Sequence, residues 1–156
     1  GPVDPNNLFV TGGSGGGLLT AWIVGKTDRF KAAVSRKPVI NWSSEVLTTD
    51  GFSSMAKYWF GKMPWEDPEQ YWRRSPLSLV GNVKTPTAVM VGEEDHRTPP
   101  GEAEQYYAAL QIRSVPTVLI RVPSASHGGL ADRPSQLVAE NQAILAWFDR
   151  YRAPAQ

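Results

Sequence analysis

Leu8-Phe9-Val10-Thr11-Gly12-Gly13-Ser14-Gly15-Gly16-Gly17-Leu18-Leu19 decides how the rest of this chain is read. Leu8 to Thr11 is a short apolar run of β-favouring residues that stops at glycines, the pattern of a buried strand. Beyond the glycines, Leu18, Leu19, Trp22 and Ile23 fall on one side of a short helix that begins by Leu18. The turn at 12–17 therefore joins a strand to a helix. Within it, Gly12, Ser14 and Gly16 satisfy the G-x-S-x-G pattern. There the serine sits at a strained position, and a side chain at either flanking glycine would collide with the neighbouring strand or helix. Such a turn lifts the serine Oγ above the carboxyl edge of a sheet. It also aims the N–H of Gly15 at a developing oxyanion, close to a helix N-terminus. The same glycine-rich composition suits a flexible linker; the strand before it and the helix after it favour a nucleophile. No Lys-Ser or Lys-Thr closes the run, which argues against a phosphate-binding loop.

Working outward, Ala32-Ala33-Val34-Ser35 is a second candidate strand, closing at Pro38. Thr87 to Gly92 is a third, introduced by Pro86, and Thr117 to Val122 a fourth, ended by Pro123. Gly101 to Leu110 reads as a helix with Ala103, Tyr106, Tyr107 and Leu110 on its apolar face. A last helix starts after Pro134-Ser135 and carries Leu137, Val138, Ile144, Leu145, Trp147 and Phe148. Residues 41–83 change character. They hold Trp42, Phe52, Tyr58, Trp59, Phe60, Trp65, Tyr71 and Trp72 among glycines and prolines, and read as a helical excursion with loops. Near-continuous apolar strands alternating with helices predict an α/β fold: about four parallel strands with flanking helices.

The bulk properties exclude several functions. At 156 residues the chain makes one domain, 1–156, with a core of its own. A net charge of +1 gives no electrostatic drive toward nucleic acid or an anionic membrane. No apolar run is long enough to span a bilayer, and no basic-then-apolar signal segment opens the chain. With no cysteine there is neither a thiolate nucleophile nor a cysteine zinc site, and two histidines are too few for most histidine metal sites, so no metal and no cofactor is expected. Lack of cysteine fits cytosol and periplasm alike and leaves the compartment open; the missing signal segment tips the expectation to the cytoplasm. Gly1-Pro2 reads either as the pair a tag-removing protease leaves behind or as a native turn.

A serine nucleophile needs a base to take its proton and an acid to orient that base. His127 lies in Ser124-Ala125-Ser126-His127-Gly128-Gly129, a small-residue loop after the fourth strand. Asp95 lies in Gly92-Glu93-Glu94-Asp95-His96-Arg97, directly after the third, where Glu93 and Glu94 stand as alternative acids. Taken singly, each is an ordinary surface loop residue. Together, the chain order Ser, Asp, His is that of α/β-hydrolases, and each candidate sits at the carboxyl end of a strand, where open parallel sheets gather their ligands. His96 abuts the acidic cluster, whose charge would keep it protonated, and it reads as a loop residue.

These motifs carry a resemblance. Val3-Asp4-Pro5-Asn6-Asn7-Leu8 leading into Thr11-Gly12-Gly13-Ser14-Gly15-Gly16 resembles the catalytic domain of the prolyl oligopeptidase family, which includes acylaminoacyl and dipeptidyl peptidases. The resemblance continues through Gly92-Glu93-Glu94-Asp95-His96-Arg97-Thr98-Pro99 and Ser126-His127-Gly128 into Ala146-Trp147-Phe148-Asp149. It implies Ser14 as nucleophile, Asp95 as acid and His127 as general base. It also places Trp42, with Tyr58 and Trp59 beside it, as the aromatic wall of the pocket for the residue before the scissile bond; core packing is the other reading of all three. The implied activity is that of a serine hydrolase of the peptidase type acting on peptide or acyl-amino bonds. A carboxylesterase with the same triad and an inactive, self-associating fragment are the alternatives.

Two departures from the family pattern shape further expectations. The family commonly has a large residue directly after the serine, where this chain has Gly15, so a side-chain wall is missing while the backbone donor remains. The resemblance also implies about eight strands, with a second oxyanion donor from an upstream loop, where four strands are read here. The expectation is a partial α/β-hydrolase fold whose first strand is an open apolar edge, and a homo-oligomer formed through that edge or by element swapping. Loss of one oxyanion donor lowers transition-state stabilisation by roughly 2.7–4 kcal/mol, so weak turnover is expected.

Overall fold

The computed structural model describes residues 4–128 and 133–154; Gly1-Pro2, Val3 and Gly129, named above, lie outside them, as do the side chains of Phe52 and Ser53. Four strands form one sheet: β1 (Phe9–Gly13), β2 (Ala32–Arg36), β3 (Thr87–Gly92) and β4 (Thr117–Val122). Their spatial order is their chain order, β1-β2-β3-β4, and every pair is parallel. The α/β architecture with four parallel strands is therefore as expected. The central strands explain why their sequences read as continuous apolar runs: all of β3 and all of β2 but Arg36 are buried, since both sheet faces are covered.

Parallel neighbours laid down in chain order need right-handed crossovers on one face. Three connections occupy that face: α1 (Gly15–Val24) between β1 and β2, the segment between β2 and β3, and α5 (Pro100–Ile112) between β3 and β4. Alternation along the strands sends Ala33, Val89 and Val91 into this layer, against Ala21, Val24, Ala103, Tyr106 and Leu110. Ala32, Val34, Ala88 and Met90 point the other way, where α6 (Pro134–Tyr151) covers them with Ile144 and Trp147. Phe9 of β1 stacks on Phe148 of α6 with ring centroids 4.8 Å apart.

Residues 41–83 hold α2 (Trp42–Thr48), α3 (Phe52–Met55), a π-helical turn (Ala56–Phe60), α4 (Pro68–Arg74) and a 3-10 turn (Pro76–Asn82). The ends of two helices follow local chemistry. The side chain of Asn41 caps α2 by accepting the Ser43 N–H, and Asp67 caps α4 by accepting the Gln70 N–H, with Pro68 in the first turn. Val39, Trp42, Val46, Ala56, Phe60 and Tyr71 make a third apolar cluster here.

Three local expectations are corrected. First, α1, which begins at Gly15 inside the glycine run, turns Gly17, Thr20, Ala21 and Val24 to the core, while Leu19 is exposed. The cause is distance. A β-carbon on Gly17 would fall inside the carbonyl oxygen of Arg36, so only small residues fit where the helix rides on the sheet. Secondly, the steric demand of the turn falls on Gly12 and Gly17, not on Gly12 and Gly16. A β-carbon on Gly12 would overlap the backbone of Gly16, whereas one on Gly16 would meet open space. Thirdly, α6 buries Glu140, Ile144 and Trp147 and leaves Leu137, Val138 and Leu145 exposed, because one stripe of a helix can face a sheet. Among the described residues, no helix is long and apolar enough to cross a membrane, and no group of three potential metal ligands is gathered.

Candidate active site

Ser14 follows the last residue of β1 with φ of 59° and ψ of −119°. This is a left-handed backbone position that a side-chain-bearing residue adopts at a cost of about 1–3 kcal/mol, held only where the surroundings over-determine it. Two hydrogen bonds supply the constraint: the Ser14 N–H donates to the Arg36 carbonyl at 3.0 Å, and the Ser14 carbonyl accepts the Leu18 N–H at 3.0 Å. The second bond closes the first turn of α1, whose leading N–H groups, Gly15 included, have no acceptor within the helix.

Asp95 follows β3 and is 1% exposed. Its Oδ1 accepts the N–H groups of Arg97 at 3.0 Å and Thr98 at 2.9 Å, and the Thr98 hydroxyl lies 3.2 Å from Oδ2. His127 follows β4. Its Nδ1 is 2.9 Å from Asp95 Oδ2, and its Nε2 is 2.9 Å from Ser14 Oγ. Residues 14, 95 and 127, from three different strand ends, thus meet in one hydrogen-bonded line. A carboxylate on Nδ1 sets the tautomer: Nδ1–H faces Asp95, and Nε2 presents its lone pair to the serine hydroxyl.

The other candidates separate from this line. Glu93 pairs with Arg121 at 3.4 Å on the surface, and Glu94 is exposed. The His96 side chain is exposed, its carbonyl accepting the Asp50 N–H at 2.8 Å. Arg97 pairs with Asp50 at 2.5 Å, and the Thr49 hydroxyl donates to the Arg97 carbonyl at 2.6 Å, so the acid loop is tied to the end of α2. The Arg97 guanidinium holds the Asp50 carboxyl below its ordinary value.

An open cavity of about 560 Å³ lies beside α1, lined by Leu18, Leu19, Trp22, Trp42, Tyr58, Trp59, Phe60 and Arg74. Trp42 is 6% exposed, whereas Tyr58 and Trp59 are 74% and 55% exposed, so the cavity has one buried wall and two solvent-facing ones. The Trp42 and Trp59 rings meet edge-on at 5.1 Å, and Arg74 donates to the Trp59 carbonyl at 2.7 Å. Glu102 fixes the chain just before Trp42 by accepting the N–H groups of Ile40 and Asn41 at 2.8 and 2.7 Å. Leu18, Leu19, Trp22, Phe60 and Arg74 had not been assigned to this wall. Four of them are apolar and Arg74 is charged, and which side of α1 faces the cavity follows from the helix-to-sheet distance.

Sequential parallel strands with a strained serine after the first make this an α/β-hydrolase fold. The chain belongs to the prolyl oligopeptidase family, whose model matches residues 1–154. It is 41% identical to the uncharacterized peptidase YuxL of Bacillus subtilis over 96% of its length, and 33% identical to the acylamino-acid-releasing enzyme of Arabidopsis thaliana over 97%. Its fold superposes on the acylaminoacyl peptidase of Pyrococcus horikoshii with a TM-score of 0.89 at 26% identity over 95% of the chain. The chain spans 23%, 20% and 24% of the lengths of these three relatives.

Proposed function

We propose that this chain carries the nucleophile, base and acid of a serine hydrolase of the peptidase type, with Ser14, His127 and Asp95 in those roles. The observation that carries the reading is the continuous relay, Asp95 Oδ2 to His127 Nδ1 at 2.9 Å and His127 Nε2 to Ser14 Oγ at 2.9 Å. In the reaction, Ser14 Oγ attacks the substrate carbonyl carbon as its proton passes to His127 Nε2. The N–H of Gly15 and the positive end of α1 face the oxyanion that forms. The imidazolium then protonates the departing nitrogen, the carbon–nitrogen bond breaks, and an ester on Ser14 remains. Water repeats the sequence, giving its proton to His127 and releasing the acid and the free serine. Asp95, hydrogen-bonded to His127 Nδ1, orients the imidazole and steadies its charge.

The cavity lined by Trp42, Tyr58 and Trp59 is proposed to receive the side chain before the scissile bond. Its apolar walls suit a large apolar residue, and membership of a family with acylamino-acid-releasing relatives suggests peptide or acyl-amino substrates. A fluorophosphonate probe tests the reading. Ser14 is expected to become covalently labelled, and Ser14→Ala and His127→Ala to abolish labelling. A folded chain that takes up no label overturns it.

A further inference from the structure

Arg36 ends β2 and Lys37 follows it, and no step above uses their side chains. Yet links run from this dipeptide to all three residues of the proposed relay. The Arg36 carbonyl accepts the Ser14 N–H at 3.0 Å. The Lys37 carbonyl accepts the Thr98 hydroxyl at 3.0 Å, and that hydroxyl oxygen lies 3.2 Å from both Asp95 Oδ2 and His127 Nδ1. The Lys37 ammonium donates to the carbonyl of His127 itself.

The backbone of Lys37 is as constrained as its side chain. Its φ is 37°, a left-handed value that a lysine enters only under compulsion, and its N–H is held by the Met90 carbonyl at 2.6 Å. Turned this way, one residue serves two loops: its carbonyl reaches the acid loop and its half-buried side chain reaches the base loop. A charged donor on a carbonyl makes a stronger tether than a neutral one. The tether matters because His127 sits on a loop, whose backbone no helix or strand ladder holds, while its Nε2 must face first the serine and then the leaving group.

We propose that Lys37 is a positioning residue for His127. Its ammonium clamps the carbonyl of the base residue, and its carbonyl keeps the Thr98 hydroxyl against the Asp95–His127 pair. The proposal rests on the serine-hydrolase reading for its kinetic consequence, but not for its structural one.

The test compares Lys37→Met, which keeps the length and loses the donor, with Lys37→Arg, which restores a charged donor. It reads three quantities: the rate of fluorophosphonate labelling, kcat and KM on an aryl ester, and the histidine Nδ1–H resonance in a nitrogen-15 spectrum. Lys37→Met is expected to slow labelling and lower kcat by about 10²-fold, the scale of an ångström-sized misplacement. KM should change less than about twofold, since binding of the ester does not use Lys37. The His127 Nδ1 proton should broaden through exchange, and Lys37→Arg should recover most of each loss. Should Lys37→Met not fold, Thr98→Val removes the hydroxyl link at constant volume and should broaden the same proton. The proposal is overturned by a Lys37→Met protein with parental labelling and a parental Nδ1–H signal. A lowered melting temperature with parental rates below it overturns it equally, as does an arginine variant no better than methionine. If the parent itself takes no label, the functional reading fails, and the Nδ1–H signal still decides whether Lys37 orders the imidazole.

Discussion

Gly92 and Ala125 meet so closely that a β-carbon on Gly92 would overlap the Ala125 carbonyl oxygen and lie 2.8 Å from its carbonyl carbon. Gly92 ends β3 just before the acid loop, and Ala125 lies in the base loop two residues before His127. The N–H of Glu94 donates to the same Ala125 carbonyl at 3.0 Å. This contact sets the spacing between Asp95 and His127. Gly92→Ala must push the two loops apart, at a cost of about 1–3 kcal/mol in stability. Hydrolytic kcat is expected to fall about 10²-fold as the relay lengthens. Denaturant unfolding and ester kinetics on the same preparation check both. Parental activity in the variant would mean that the loops are held elsewhere.

Glu45 of α2 is fully buried, and its carboxyl pKa is pushed up to about 8, chiefly by burial and then by the nearby carboxyls of Glu102 and Asp95. Thr49 and Arg97 pull the other way, but the Thr49 hydroxyl donates to the Arg97 carbonyl, and neither Glu45 oxygen has a hydrogen-bond partner. Below a pH of about 8 the folded chain keeps this carboxyl protonated, while the unfolded chain releases the proton above about 4.5. The folded state therefore binds the extra proton between those values. The resulting stability is complete below about pH 4.5 and is lost as the pH rises through about 8. Urea unfolding of the parent should weaken across that window, and Glu45→Gln should flatten the decline, gaining on the order of a few kcal/mol over the parent near its upper end. Burial also raises the pKa of Glu102 and Glu140, and both proteins keep those groups, so the difference reports Glu45 together with its coupling to Glu102. Parallel curves for parent and variant would contradict the assignment.

Gly15 stands directly after the serine, and a β-carbon there would meet open space. The position is thus free to carry the large side chain that the family commonly has. Gly15→Tyr is expected to fold with stability within about 0.5 kcal/mol of the parent, as for a surface substitution. It should raise the KM for esters with bulky acyl groups while leaving small acetyl esters nearly unchanged. Equal effects on both substrate sizes would show that this wall does not shape the pocket.

β1 pairs with β2 on one side, and among the described residues its other side has no strand. Phe9 and Val10 give this edge an apolar character, and open apolar edges invite pairing between chains. The chain is expected to self-associate at micromolar concentration, with a sedimentation coefficient that climbs with loading. A concentration-independent monomer would rule this out.

Much of the molecule is legible in its sequence. The four strands were readable because buried parallel strands are apolar over four or five consecutive residues, as in Thr87 to Gly92. Ser14 was readable because the elbow needs a glycine at 12, where a β-carbon would overlap the Gly16 backbone. Asp95 and His127 were readable through their strand-end loops and their order in the chain. Less legible were the helix faces. Leu18, Leu19 and Trp22 look like a core stripe, yet Gly17 and Ala21 take that place, because close approach to the sheet selects volume over hydrophobicity.

The sequence by itself determined the parallel α/β architecture, the family and the three residues that head the strand ends. Those features are written in local periodicity, glycine placement and motif order. Only the tertiary structure decided that Asp95 Oδ2 lies 2.9 Å from His127 Nδ1, that Arg97 pairs with Asp50, and that Lys37 reaches the His127 carbonyl. These pairs lie 32, 47 and 90 residues apart in the chain. The direction of a side chain leaving a turn depends on backbone angles such as the 37° φ of Lys37, which no neighbouring residue type announces.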